Sequence, residues 1–372
     1  MKITHLYWSL AYGGIETMLV NIANAQANQG EEVSVIIIND LYEDSLTRSL
    51  DSKVSFYKLE REIGSKNMSF IIKLNSLLGK LHPDIIHMHS PDIARIILRR
   101  KFIQKCCITI HALPYGPINS GNIFKEIIRK LRGTKRVKSN VECLNKIPYI
   151  FSISDVVQRM LNDNYGINSI VVPNGIITKR FTMCDSIIPH NPFRIVMVSR
   201  LEHEKKGQDL LIEAAARLKG IITIDFIGVG PSMEYLKELT QKLCADNYIH
   251  FLGKQTQDYI ASNLANYDMF IQPSRWEGFG LTVAEAMSAR VPVLVSSGQG
   301  PAEVTCGNKY GWIFINNDIN DLINKITYII NHYNEAIQKA ESACKYVRST
   351  YDVAVTAQQY INEYKKIIKR NQ

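Results

Sequence analysis

The sequence predicts an α/β protein of two Rossmann-like halves in series, each a parallel sheet covered by helices. Short β-branched runs alternate with helical patterns along most of the chain, and strand, helix, strand at this spacing forces crossover connections and a parallel sheet. The alternation breaks once, at FTMCDSIIPHNP, where two prolines and several polar residues intervene, and then restarts. At 372 residues the chain also exceeds what one hydrophobic core usually organises.

The elements follow in order. ITHLYWSL reads as the opening strand, followed by a helix over 16–29, the strand VSVIII, a helix over 69–81 and the strands DIIHMHS and CCITIHA, with PYIFSIS and SIVVPNG closing the first half. The second half reads FRIVMVS, a helix over 208–219, ITIDFIG, a helix over 233–244, IHFLG, a helix over 256–265, MFIQP, a helix over 281–289, and VPVLVS. Taking the interruption as a linker places the first domain at 1–184 and the second at 191–352. Apolar residues at helical spacing across 353–368 predict a long final helix packing on the first domain. Ligands gather at the carboxyl ends of parallel strands, so a cleft between the domains is expected, with the functional motifs just after strands.

Composition narrows the function classes. No segment reaches the 18 consecutive apolar residues of a membrane-spanning helix. The start, MKITHLYWSLAYGG, has one lysine, His5 inside its apolar stretch and no small-residue cleavage pattern, so it reads as a strand and the compartment as cytoplasm. Seven scattered cysteines without a C-x-x-C pair read as reduced and structural. A net charge of +9 attracts phosphates, anionic lipid or nucleic acid alike.

The strongest motif is PSRWEGFGLTVAEAM. Glu277 and Glu285 bracket a turn, Gly278, Phe279 and Gly280, that opens a helix at Leu281. Backbone N–H groups at such a helix start receive phosphate or sugar oxygens, and the glycines admit close approach. Glu277 in the turn can accept from sugar hydroxyls, and Glu285, over a turn further in, from a second diol such as ribose. Taken alone, the stretch reads more readily as a tight turn followed by a helix with Glu285 solvated.

This stretch resembles the E-x7-E motif of the retaining GT-B glycosyltransferases of family 4, also called group 1, and the resemblance runs through most of the chain. It implies two facing Rossmann-like domains with a C-terminal helix crossing back to the first, and sugar transfer from a nucleotide-sugar donor. AYGGIE resembles the family's glycine pair, with Gly13 and Gly14 near the donor phosphates; TIHALPY places His111 where the family keeps an active-site histidine near the transferred sugar. A core histidine is the alternative. VVPNGIITKRF carries Ile177 where the family usually has aspartate. VSRLEHEKKGQDLLIEA resembles the family's R-L…K-G segment, assigning Arg200 and Lys206 to the diphosphate, with Lys205 competing because one extra residue precedes the glycine. FIGVGP places Gly228 and Gly230 near the nucleotide, and GPAEV supplies Glu303.

The implied chemistry needs no metal or other cofactor, and the sequence has no D-x-D to hold a divalent ion on a diphosphate. Cationic side chains and the helix start would stabilise the leaving group. His111 and Glu277 are the expected catalytic residues, UDP-sugar is favoured over GDP-sugar, and a glycan or lipid-linked acceptor in bacterial surface-polysaccharide assembly is expected.

Positive charge concentrates in the first half, and NIFKEIIRKLR places Ile123, Phe124, Ile127, Ile128 and Leu131 on one helical face against basic residues on the other. Two readings stand: peripheral docking of 123–132 on anionic lipid at the inner face of the membrane, or an ordinary amphipathic helix of the domain. A dinucleotide-dependent enzyme is discounted because YGGIET and GVGPSM lack G-x-G-x-x-G. A nucleic-acid binder lacks a recognised module and the aromatic residues such a basic run needs. A non-catalytic nucleotide-sugar sensor is the third alternative.

Overall fold

The computed structural model describes residues 1–11, 13–111, 138–185 and 187–371. They form two compact units, Met1–Gly175 with Val353–Gln372, and Ile176–Asp352. The basic segment 123–132 lies outside the described residues.

The first unit is a seven-stranded parallel sheet: β1 (Lys2–Tyr7), β2 (Glu32–Asn39), β3 (Val54–Arg61), β4 (Ile85–Met88), β5 (Cys106–Ile110), β6 (Tyr149–Ser152) and β7 (Ile170–Val171). Its order is β3-β2-β1-β4-β5-β6-β7. Central strands such as β2 are buried on both faces from Val33 to Ile38, which is why they read as nearly continuous apolar runs. The final helix, Val353–Asn371, belongs to this unit. Its Val353, Ala357, Tyr360, Tyr364 and Ile367 recur at helical spacing and pack on Ile3, Met18, Ile22, Cys107 and Phe151.

The second unit is a six-stranded parallel sheet: β8 (Phe193–Val198), β9 (Ile222–Ile227), β10 (Ile249–Gly253), β11 (Met269–Gln272), β12 (Val293–Ser296) and β13 (Trp312–Phe314), in the order β10-β9-β8-β11-β12-β13. Two parallel-sheet α/β units of this kind are the GT-B architecture that the resemblance implies.

The boundary between units differs from the sequence expectation. The first unit ends at Gly175, not 184, and the polar, proline-containing stretch is part of the second unit. Its backbone is committed there: Thr182 N–H donates to Ala261 O, Cys184 N–H to Ala289 O, and Asp268 receives the His190 N–H and ring. Thr178 Oγ1 donates to Asp352, tying the two ends of the unit together. Composition made the segment look like a linker, whereas its hydrogen bonds make it an edge of the second unit. All seven cysteines are free, five of them buried. No helix among the described residues is long and apolar enough to cross a membrane.

Candidate active site

In the second unit the strand order reverses between β8 and β11, the switch point beyond whose carboxyl ends open parallel sheets bind their ligands. The loops leaving these strands carry the two strongest motifs. After β8 the chain passes Arg200 and forms a short turn of helix, His203–Lys206, ended by left-handed Gly207. After β11 it runs through Arg275, Trp276 and Glu277 to the helix Leu281–Ser288.

The fold brings the motifs together. The Lys206 ammonium donates to the Glu277 carboxylate across 71 positions of sequence, with the side chains only 16% and 19% exposed, so the pair is shielded from water. Lys205 has a different contact: its ammonium lies 5.5 Å from the Trp276 ring centre, and its carbonyl accepts from the Trp276 N–H at 3.3 Å. Burial, then the neighbouring Lys206 charge, lowers the Lys205 pKa. Arg200 is exposed, and its carbonyl accepts from the buried Gln208 amide at 2.9 Å, which fixes the turn.

The glycines shape the loops. Gly228 has φ +143, and a Cβ there would overlap the Ser199 carbonyl oxygen, so the loop after β9 can lie against the loop after β8 only without a side chain. Gly230 continues that contact, the adjacent Val229 carbonyl accepting from Leu201 N–H at 3.2 Å. Gly280, at φ +103, starts the helix and lets its carbonyl accept from both Val283 and Ala284. Leu281 opens that helix half-buried, Gly278 is buried, and Phe279 is an anchor, 4% exposed and edge-on to Tyr351 at 5.4 Å. Glu303 lies in the short helix Gly300–Val304, and Gly300 N–H donates to the Glu277 carbonyl at 3.0 Å.

Glu285 is buried inside the helix, and its Oε2 has no hydrogen-bond partner among the described residues. A buried carboxylate left this way suits a ligand with paired hydroxyls. Desolvation raises its pKa to about 7, the Arg180 charge opposing. The raised pKa makes the protonated form the stable one in the fold: its contribution is complete below the ordinary value of 4.5 and is lost as pH rises through about 7. Relative to Glu285→Gln, which cannot titrate, the ligand-free wild type should therefore lose roughly 3 kcal/mol of stability between about pH 5 and pH 8. Denaturant unfolding of both proteins across that range checks this.

In the first unit the corresponding strand ends hold a row of histidines. His5 on β1 and His87 on β4 are register partners, and His89 and His111 lie just past β4 and β5. His111 Nε2 is 3.0 Å from His89 Nδ1, His89 Nε2 is 3.1 Å from His5 Nδ1, and His5 Nε2 is 2.8 Å from Gln26 Oε1. His87 instead contacts Tyr364 OH at 2.5 Å and Thr109 Oγ1 at 2.8 Å. Burial lowers all four pKa values, His5 to about 4 and His111 to about 3, so the rings are neutral at pH 7. His5, His87 and His89 sit close enough to share a metal ion, but all six of their ring nitrogens are already engaged. Gly13 caps the helix Gly14–Asn28, its carbonyl accepting from Thr17 at 3.0 Å, with the Glu16 carboxylate folded over it.

Comparison with known families settles the class. The model described as glycosyl transferases group 1 matches residues 179–347, and that of glycosyltransferase family 4 matches 12–180. The chain belongs to the group 1 glycosyltransferases. It is similar to the phosphatidylinositol N-acetylglucosaminyltransferase gpi3 subunit of Schizosaccharomyces pombe, 24% identical over 373 residues, covering 96% of this chain and 79% of that protein. It also resembles an uncharacterized 41.2 kDa protein in the cps region of Klebsiella pneumoniae, 22% identical over 98% of this chain and 99% of that one. Among solved structures, Anabaena HepE in complex with UDP and glucose superposes with a TM-score of 0.78 at 20% identity, covering 98% of this chain and 99% of that one.

Sequence reasoning missed several residues that build this candidate site. Arg275 grips both oxygens of Asp209 at 2.8 and 2.7 Å, and also donates to the His203 carbonyl and to Asn317 Oδ1, each at 2.7 Å. It staples the loop after β8 to the loop after β11. Gln299 Oε1 accepts from Glu277 N–H at 3.0 Å. His5, His89 and Gln26 were missed although DIIHMHS carries its histidines two apart, the spacing that puts both on one face of a strand.

Proposed function

We propose that this glycosyltransferase moves a sugar from a UDP-sugar to a glycan or lipid-linked acceptor with retention of anomeric configuration and without a metal ion, in assembly of a bacterial surface polysaccharide. The observation that carries the reading is the shielded Lys206–Glu277 pair at the β8/β11 switch point. It joins a cation suited to a diphosphate to a carboxylate suited to sugar hydroxyls, near a helix start and on the same segment as Glu285, whose Oε2 has no partner among the described residues.

Charge grows on the nucleoside diphosphate as the glycosidic bond breaks. Arg200, Lys206, Lys205 and the start of helix Leu281–Ser288 stabilise it electrostatically, a task that a divalent ion performs elsewhere. The departing phosphate takes the acceptor's proton on the face it leaves, so no protein nucleophile is needed. Glu277 holds the transferred sugar, Glu285 the ribose diol, Gly13 and Gly14 approach the phosphates, and His111 binds a sugar hydroxyl. UDP and glucose bound to HepE support the donor, the cps-region relative supports the polysaccharide setting, and the phosphatidylinositol-directed relative supports a lipid-linked acceptor. Docking of 123–132 on anionic lipid at the inner face would bring the enzyme to such an acceptor.

Proton NMR of slow donor hydrolysis tests the reaction. With a UDP-α-sugar, the α-anomer should appear first, at a rate unchanged by a metal chelator. First appearance of the β-anomer, or loss of turnover on chelation, would contradict this reading.

A further inference from the structure

The buried row His111, His89, His5, Gln26 has a direction. A neutral imidazole has one N–H donor and one acceptor nitrogen, so each ring in a chain of hydrogen bonds passes its orientation to the next. Gln26 presents its amide oxygen, an acceptor, to His5 Nε2 at 2.8 Å. His5 must then carry its proton on Nε2 and offer Nδ1 as acceptor to His89 Nε2, 3.1 Å away. His89 is thereby protonated on Nε2 and accepts at Nδ1 from His111 Nε2, 3.0 Å away. His111 is left protonated on Nε2. Its Nδ1 has no hydrogen-bond partner among the described residues, and the residue is half-buried at the end of the row.

The rings are packed as well as bonded. His5 with His89, and His89 with His111, stack at centroid separations of 5.3 Å with interplanar angles of 22° and 26°. His5 and His89 are 0% and 4% exposed, so water does not compete for their nitrogens. Burial keeps each ring neutral, the condition the relay requires.

We propose that Gln26 is a positioning residue acting through His5 and His89: it fixes His111 in the Nε2–H tautomer, so that Nδ1 presents a lone pair that accepts a hydrogen bond from a hydroxyl of the transferred sugar. This rests on the assignment of His111 to the sugar. A histidine in the other tautomer would point an N–H at that position, and a sugar hydroxyl would have to accept instead of donate. Gln26 lies on the helix Gly14–Asn28, well inside the domain, and has no other evident catalytic task.

The tautomer can be read without substrate. In histidine-¹⁵N-labelled protein, long-range proton–nitrogen correlation distinguishes protonated from bare ring nitrogens, and the His111 signals are assigned by their loss in His111→Asn. Wild type should show His111 protonated on Nε2, unchanged between pH 6 and 8. Gln26→Glu, which keeps an acceptor oxygen, should preserve that pattern. Gln26→Leu should give mixed tautomers and roughly tenfold slower transfer, the size expected for one mismatched hydrogen bond, with UDP affinity unchanged. His111 protonated on Nδ1 in the wild type, or a Gln26→Leu protein with the wild-type tautomer and rate, would overturn the proposal. A shifted tautomer with unaltered transfer would leave the relay standing and overturn the contact of His111 with sugar, so the two failures are separable.

Discussion

Glu277→Ala is expected to slow sugar transfer by about 100- to 1,000-fold while binding UDP no more weakly than the wild type. The slowing follows from removing the acceptor proposed to hold the sugar as charge develops. The retained nucleotide affinity follows from the ion pair. Lys206 gives its ammonium to Glu277 in the ligand-free site, with both side chains largely shielded from water. Removing the carboxylate leaves a partly buried cation unpaired, which raises the positive potential where a diphosphate would sit. Steady-state kinetics with a UDP-sugar and calorimetry with UDP alone separate the two effects. A parallel loss of turnover and of UDP affinity would place Glu277 on the nucleotide instead.

The fold was legible because its signal is local. Parallel strands buried on both faces, such as VSVIII, give nearly continuous apolar runs, and the final helix shows its buried stripe through Ala357, Tyr360, Ile361 and Tyr364. The glutamate motif was legible for the same reason, its turn and helix lying within one short stretch. Features that depend on sheet order were not. His87 meets Tyr364 across 277 positions, and Arg275 meets Asp209 across 66, partnerships that no spacing in the sequence announces. The histidine row needs β1, β4 and β5 side by side, an order the alternation of elements leaves open. The boundary at Gly175 was missed because polar residues and prolines mark an irregular segment equally well whether it links two domains or edges one of them. Spacing also does not tell the two adjacent lysines apart, of which Lys206 bonds Glu277 and Lys205 lies over the Trp276 ring.

Lys206→Ala should weaken UDP and GDP on the order of 100-fold, since a charge-assisted contact is lost and a shielded carboxylate is left facing the diphosphate. Lys205→Ala should cost less, because the Lys205 ammonium rests on the Trp276 ring and its pKa is already lowered by burial. Calorimetric titration of UDP and GDP into wild type, Lys206→Ala and Lys205→Ala tests the proposed donor site in the second unit most directly. The expected result is tight binding of UDP by the wild type, near-complete loss in Lys206→Ala and a smaller loss in Lys205→Ala. Equal nucleotide affinity in all three proteins would contradict it, and would place the diphosphate away from the loops that follow β8 and β11.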